Sequence, residues 1–463
     1  MMRSMYAGVA GLRTHQTKMD VIGNNIANVN TVGYKSMNIT FQELLYQTTS
    51  SASGPDNATG RAGINAKQIG LGVTTGAINT QITTPGASQT TGNPFDIRIT
   101  GDSFFIVSDG VSNYFTKAGA FYVDSAGTLA MTTNGYTVMG WKPDPNDPSI
   151  IRQDTVEPLQ IMSAENLTVP PTPTTLATAS GIIDVNNASL NSDDGAIYNL
   201  NFYDNMGYKY IAKFSVKAVN KATREFSIEL TDILNAGDKG RSICNGDPDV
   251  LRQMVSFGGE GQLSTTLKYD QDEGTFEYIM GEGIKSTMLS FNPDYTDPAT
   301  GETMGHFSDV EIDFSTTNNF DNNGTSTFGL DSGDLKNNGA GKQMGNMIGI
   351  SISNNGEIYG TYDNGDKKLL GQIAVASFSN ASGLQKEGEN LYSETMNSGR
   401  FDGIGQVVTA DGGGMTTGVL EMSNVDLSLE FTEMITTQRG FQANSRIITT
   451  SDSILEELVN LKR

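Results

Sequence analysis

The sequence predicts a multidomain fold: α-helical, coiled-coil-like termini paired with each other, a mainly-β inner domain, and a mainly-β outer domain inserted into it. Two observations predict it. Apolar residues recur every seven positions at both ends of the chain. Between the ends they recur every two positions, broken by Asn-Gly and Gly-Asp turns. With 463 residues, 37% hydrophobic, and 53 glycines, the chain has room for two to four domains of short strands joined by tight turns. The boundaries expected are 1–35 with 424–463 for the terminal helices, 36–160 with 341–423 for a connector plus the inner β domain, and 175–340 for the insert.

In the N-terminal segment Met5, Leu12, Met19 and Ile26 are seven apart, and Val9 and Ile22 widen the stripe. Gly8, Gly11 and Gly23 lie in the same segment. Each costs a helix about 1 kcal/mol relative to alanine, so this helix forms only when its stripe is covered. The stretch "NNIANVNTVGYK" ends it. Asn28, Asn30 and Gly33 favour turn or left-handed conformations, and Tyr34 anchors the chain against the helix it leaves.

Strands follow. "FDIRIT" alternates Phe95, Ile97 and Ile99 with polar residues, and further turns fall at Asp124–Gly127 and Asn134-Gly135. Seven of the 13 prolines lie within 143–173, which marks the entrance to the insert. Inside it, "AIYNLNFYDNMGYKYIAKFSVKAV" reads as a hairpin turning near Asn205–Gly207. An Asn/Gly-rich exit at 316–343 leads back to "MIGISISNNGEIYG", where Ile348, Ile350 and Ile352 alternate before a turn at Asn355-Gly356. The β segments on either side of the insert are expected to share one domain.

At the C-terminus Leu427, Met434, Phe441, Ile448 and Leu455 keep a strict spacing of seven, with Phe431 and Val459 at the companion position. Ser423, Asn424 and Asp426 are N-cap candidates. A helix over 426–460 would be roughly 50 Å long at about 1.5 Å per residue. The natural cover for each stripe is the other, from the same chain or a neighbouring copy. An ordinary antiparallel pair in a monomer core is the simpler alternative, but stripes this thin leave the rest of each helix polar or facing further copies.

A formal charge of −22 argues against nucleic acid or an anionic membrane surface as partner, although residues 1–40 carry Arg3, Arg13, Lys18 and Lys35 against Asp20 alone. With one cysteine, Cys244, no intramolecular disulfide is possible. A small, partly buried residue is the plain reading of it, since a reactive thiol needs a basic neighbourhood and only Lys239 and Arg241 are close in sequence. No apolar run has signal-peptide or membrane-spanning length, which fits either a cytoplasmic protein or export without leader removal. No catalytic, cofactor or metal site is expected. His15 and His306 stand far apart without ligand-spaced partners, "DGGGM" at 411–415 is not fed by a strand, and the acidic loop at 292–302 fails the calcium pattern.

"MDVIGNNIANVNTVGYK" resembles the N-terminal signature of flagellar rod and hook proteins, with Asn25, Ile26, Ala27, Asn28, Thr31, Gly33 and Tyr34 carrying it. "SNVDLSLEFTEMITTQRGFQANSRIITTSDSILEELVNLKR" resembles their common C-terminal segment, and "QTTGNPFDIRITGDSFFIV" and "GENLYSETMNSG" resemble inner-domain stretches. Together these cover roughly residues 1–140 and 345–463. Val32 departs from the proline or small residue common there. Rod proteins are generally shorter, so the long insert points to the hook.

The resemblance implies a self-assembling tube: terminal helices around the channel, inner β domain in the middle layer, insert outside. Such a tube is the curved, flexible universal joint between rod and filament, extracellular and exported by the flagellar type III apparatus. Implied partners are copies of the chain itself and rod, hook-cap and hook–filament junction proteins, without membrane insertion. A distal rod or other flagellar axial protein is the alternative, and an enzyme or adhesin would rest on the insert alone. In some members an early insert cysteine joins a neighbour's lysine. Here "ASGIIDVNNAS" has none and Cys244 lies further in, so that link is not carried over.

Overall fold

The computed structural model describes residues 2–55, 60, 62–237, 240–244, 246–272, 274–278, 284–296 and 303–461. Lys239 and the second half of the 292–302 loop therefore lie outside the described residues. The chain forms two compact units: 1–166 with 349–361 and 367–463, and 167–348 with 362–366. It is a mainly-β, multidomain protein with a long helix at each end.

The first unit begins with the N-terminal helix, Met2–Ala27. An antiparallel ribbon follows, Met37–Glu43 against Val73–Thr80 with Ile39 opposite Ile78, and it continues as Tyr46–Ser50 against Lys67–Gly70. Gly72 lets the ribbon run close to the helix: at φ 125° a Cβ there would lie 3.1 Å from the Ala10 Cβ. The two halves of the chain then pair as they enter and leave the β body. Ser88–Thr90 pairs with Val419–Glu421, and Ile97–Thr100 with Gly414–Thr417.

The body is an antiparallel sheet in the order Glu357–Tyr362, Lys367–Ile373, Thr137–Trp141, Phe104–Ser108, Asn113–Thr116, Leu391–Ser393, Gln385–Gly388. Strands from before and after residues 167–348 thus lie edge to edge. Phe104–Ser108 is buried at every position because both its faces are covered. Phe104, Ile106, Phe115, Trp141 and Tyr392 form the core, and the Trp141 indole donates to the carbonyls of Asp154 (2.9 Å) and Ile404 (3.0 Å). The alternation over 345–352 does mark a strand, yet Ile348 is exposed and Ile350 and Ile352 are only half-buried.

The C-terminal helix runs Leu427–Asn460, capped by Asp426, whose carboxylate accepts from the amides of Ser428 and Leu429. No described helix is long and apolar enough to cross a membrane.

The second unit packs two sheets around one core. One has the order Val255–Phe257, Ser286–Phe291, Val310–Asn318, Leu176–Ile182, Gly329–Ser332, and the other runs Ala196–Tyr203, Lys209–Asn220, Glu225–Asn235, Ser264–Asp270, Thr275–Tyr278. Alternate residues of the long hairpin point inward: Tyr210, Ala212, Phe214 and Val216, then Phe226, Ile228 and Leu230. Phe214 meets Phe257 at 5.2 Å and Phe202 meets Phe291 at 5.7 Å between ring centres, closing the two sheets on each other. The turn at Asp204–Gly207 forms as its residues require: the Asp204 carboxylate accepts from the amides of Met206 and Tyr208, and Gly207 has φ 84°. Leu176–Ile182 and Val310–Asn318 pair in parallel, a pairing that hairpin patterning does not foretell because its partners are far apart in sequence.

Phe214 is fully buried between the sheets. Phe214→Ala is expected to destabilise the second unit by about 3–5 kcal/mol, read as faster amide exchange across Lys209–Asn220 and Glu225–Asn235.

Candidate assembly site

The signature stretch is a junction built from polar side chains. Asn25 is 1% exposed at the end of the N-terminal helix. Its amide nitrogen donates to the Met37 carbonyl (2.9 Å) and to Glu430 (2.8 Å) of the C-terminal helix. Its oxygen accepts from the Met37 amide (3.0 Å) and the Tyr34 hydroxyl (3.2 Å). One side chain therefore joins both helices to the start of the ribbon. Of Asn28, Asn30 and Gly33 only Gly33 takes a positive φ, 69°, with Ala118 packed where a Cβ would sit. Asn28 instead ends the helix by donating its side chain back to the Asn24 carbonyl at 2.9 Å.

Beside Asn25 lies a buried ion pair. Lys35 and Glu421 are 1% and 3% exposed and 2.8 Å apart. Lys35 also donates to the Thr84 carbonyl (2.8 Å), and the same Glu421 oxygen accepts from the Gly86 amide (2.9 Å). Gly86 has no room for a side chain, because a Cβ would fall 1.8 Å from the Met422 carbonyl oxygen. Asn424 accepts from the Ser36 amide (2.7 Å) and donates to the carbonyls of Gln81 (3.0 Å) and Thr84 (3.2 Å). Lys386 donates to the Lys35 carbonyl and lies 4.7 Å over the Tyr34 ring, and Asn390 donates to the Val32 carbonyl. Burial pushes the Lys386 amine down to about 8. Burial, helped by the Lys35 charge, brings Lys117 to about 8 as well. Burial raises Tyr34, Tyr392 and Glu430.

The two helices run antiparallel. Gly8 lies against Ile448 and Asn444, Gly11 against Asn444, and Gly440 against His15, while Lys18 pairs with Glu433 at 3.0 Å. The row of the C-terminal helix turned to its partner is Glu430, Thr437, Asn444 and Ser451, itself seven-spaced but polar. Of the apolar stripe residues Ile448 takes part in this contact, against Gly8. On the N-terminal helix Ile22 is buried, Met5, Leu12, Met19 and Ile26 are half-buried, and Val9 is exposed. On the C-terminal helix Met434, Phe441, Ile448 and Leu455 are half-buried, and Leu427, Phe431 and Val459 are exposed. Ile435, Ile447, Ile454 and Leu458 are also exposed, as are Met2 and Tyr6 on the N-terminal helix.

Periodicity did not select Lys35, Glu421, Asn424, Glu430 or Lys386.

An open cleft of about 610 Å³ is lined by Tyr114, Glu387, Glu394 and Asp402, but its acids are engaged: Glu394 by the Phe401 amide, Asp402 by the amides of Ile404 and Gly405, Glu387 by Ser393. Among the described residues no group of three His, Cys, Asp or Glu is placed to hold a metal ion. Cys244 is buried, its thiol donates to Asp232 at 3.1 Å, and burial pushes its pKa up.

Lys35→Met is expected to cost about 3–5 kcal/mol, because it leaves the Glu421 carboxylate buried without its cation; urea denaturation followed by Trp141 fluorescence measures it. The lysines set a pH dependence. Between about 8 and the ordinary 10.5, folded Lys117 holds fewer protons than unfolded Lys117, so stability rises with pH across that window. The tyrosines, raised from 10.0, oppose it only above that pH. The urea midpoint is expected to climb from pH 8 to 10 in the parent chain and to climb less in Lys117→Met.

Comparison with known proteins gives these segments a family. Residues 5–35 match the family "Flagella basal body rod protein", 98–193 match "Flagellar hook protein FlgE/F/G D1 domain", and 416–461 match "Flagellar basal body rod FlgEFG protein C-terminal". The chain is 36% identical to the flagellar hook protein FlgE of Borreliella burgdorferi and 33% identical to that of Treponema pallidum, covering 100% of both chains in each case. It is 28% identical to the flagellar basal-body rod protein FlgG of Bacillus subtilis, again over 100% of both. A crystal structure of the Helicobacter pylori hook protein FlgE2 aligns with 73% of this chain and 100% of that one, at 14% identity and a TM-score of 0.42. By its full-length identity to hook proteins, the chain belongs to the flagellar hook protein family.

Proposed function

We propose that the chain is the repeating structural subunit of the flagellar hook, that it polymerises through its terminal helices, and that it has no enzymatic activity. The observation that carries the polymer reading is the exposed apolar surface of the C-terminal helix: Leu427, Phe431, Ile435, Ile454 and Leu458 are exposed while polar Glu430 and Asn444 meet the N-terminal helix. A monomer gains nothing by turning its apolar side chains to water, whereas a neighbouring copy would cover them. The predicted stripe residues, Met5, Val9, Leu12, Met19, Ile22 and Ile26 with Leu427, Phe431, Met434, Phe441, Ile448, Leu455 and Val459, would then be shared between the chain's own helix contact and contacts with neighbours in a coiled-coil-like layer.

In this reading residues 1–35 and 424–463 line the tube, 36–160 with 341–423 form the inner β domain, and 175–340 is the outer insert. The junction at Asn25, Ile26, Ala27, Asn28, Thr31, Gly33 and Tyr34 sets the direction in which the helices leave the β body. Export by the flagellar type III apparatus and contact with rod, hook-cap and hook–filament junction proteins belong to the same proposal, as does an extracellular location. The full-length similarity to a basal-body rod protein supports a second reading, a distal rod subunit. Electron microscopy of polymer from the purified chain separates them: a curved tube supports the hook, a straight one the rod.

Phe431 is 50% exposed. Phe431→Asp is expected to abolish pelletable polymer while changing monomer stability by no more than about 0.5 kcal/mol, and Gln438→Asp on the same helix is expected to polymerise normally. Polymer from the Phe431 variant at parent levels overturns the interface.

A further inference from the structure

Two glycines in the terminal helices have a packing reason that periodicity does not supply. A Cβ on Gly11 would lie 2.6 Å from the Asn444 side-chain nitrogen, and a Cβ on Gly440 would lie 2.7 Å from His15 Cε1 and 2.8 Å from Nε2. Each helix therefore offers one glycine and, four residues on, one polar side chain: Gly11 with His15, and Gly440 with Asn444. Because the helices run antiparallel, each polar side chain fills the other helix's glycine. Sliding the pair by one turn in one direction would set His15 against Asn444, and in the other would set glycine against glycine.

We propose that these two reciprocal sockets set the register of the terminal helices, and that His15 makes the lock sensitive to acid. His15 touches a third element, the ribbon, with its ring edge-on to Phe41 at 5.8 Å between centres. Its Nδ1 is buried with no hydrogen-bond partner. The charged groups around it give a new charge no home. Lys18 on its own helix is a cation that pairs with Glu433 of the C-terminal helix. Arg439, next to Gly440, is exposed and also cationic. The ribbon presents uncharged Phe41, and its Glu43 carboxylate is engaged by the Tyr46 hydroxyl. Protonating the ring would set a second cation beside the Lys18 ammonium and put a proton on a buried Nδ1 that has no acceptor. Burial and then Lys18 lower the ring's pKa from its ordinary 6.5. The unfolded or undocked segment thus takes up its proton first, so the contact is undisturbed above that pH and weakens as pH falls below it.

The polymer assay rests on the hook reading. Polymer of the full chain is brought from about pH 7.5 to about pH 5 and the free subunit is measured. Release from the parent is expected to rise below the ordinary histidine range by up to about tenfold per pH unit, the limit for one proton per helix pair. His15→Gln is expected to stay flat there, while His306→Gln, lacking the only other histidine, follows the parent. A His15→Gln curve that superimposes on the parent's overturns the acid key. Gly440→Ala improves intrinsic helix propensity, yet is expected to raise release severalfold at pH 7.5; unchanged release overturns the sockets. If the parent forms no polymer, the hook reading fails instead. The lock is then tested on the single chain, by the ring-proton titration of its two histidines and by amide exchange over residues 430–451. Exchange that rises as His15 titrates supports the lock, and exchange indifferent to it overturns the lock.

Discussion

The buried pair of Lys35 and Glu421, with Asn25 beside it, holds both ends of the chain to one body. An ion pair at this depth is a weak source of stability, since desolvating the two groups offsets most of their attraction. Its value here is geometric. Lys35 follows the first helix, Glu421 precedes the second, and the Thr84 carbonyl and Gly86 amide complete the bonding. Apolar residues of the same volume would fill the space but tolerate many angles. Four hydrogen bonds to Asn25 tolerate one, and so fix where two long helices leave the β body.

From that anchor the helices proceed with little apolar burial between them. Gly8, Gly11, Thr14, Val21, Ile22 and Asn25 on one helix and Thr437 and Ser451 on the other are the buried residues, and only Val21 and Ile22 among them are large and apolar. Several large apolar groups of the C-terminal helix are exposed, and covering one such side chain yields about 1.5–3 kcal/mol. Five of them, covered by neighbours, would outweigh anything the single chain gains from its own polar seam. This is the balance expected of a segment that stays weakly held until assembly, and the full-length identity to hook proteins gives that balance its setting.

Much of this was legible in the residues. The seven-residue spacing and the "SNVD" cap locate the C-terminal helix to within a residue of Leu427–Asn460. Asn-Gly and Asp-x-x-Gly turns locate the hairpins. What was not legible is which face of each helix meets the other. The C-terminal helix carries two rows of period seven, one apolar and one polar, and hydrophobicity marks only the row that needs a cover, not what covers it. Lys35 and Glu421 were hidden for a related reason. A charged residue reads as solvent-facing unless its partner is known, and here the partner lies at the other end of the chain. The parallel pair in the second unit escaped because local patterns carry no information on long-range strand pairing.

The glycines of the terminal helices sort by the same physics. Gly8, Gly11 and Gly440 each lie where a neighbouring side chain leaves little or no room for a methyl group, so the helix propensity they cost is exchanged for close approach. Gly23 is different. Nothing lies within 4 Å of where its Cβ would be, and it is exposed. Within the single chain it lowers helix stability by about 1 kcal/mol with no contact in return. Its position, two residues before Asn25, weakens the last turn just where the helix hands over to the junction. The rigid part of this region is therefore the hydrogen-bonded knot and not the helix leading into it. The four hydrogen bonds at Asn25, and not the propensity of the turn before it, tie the helix to the β body there.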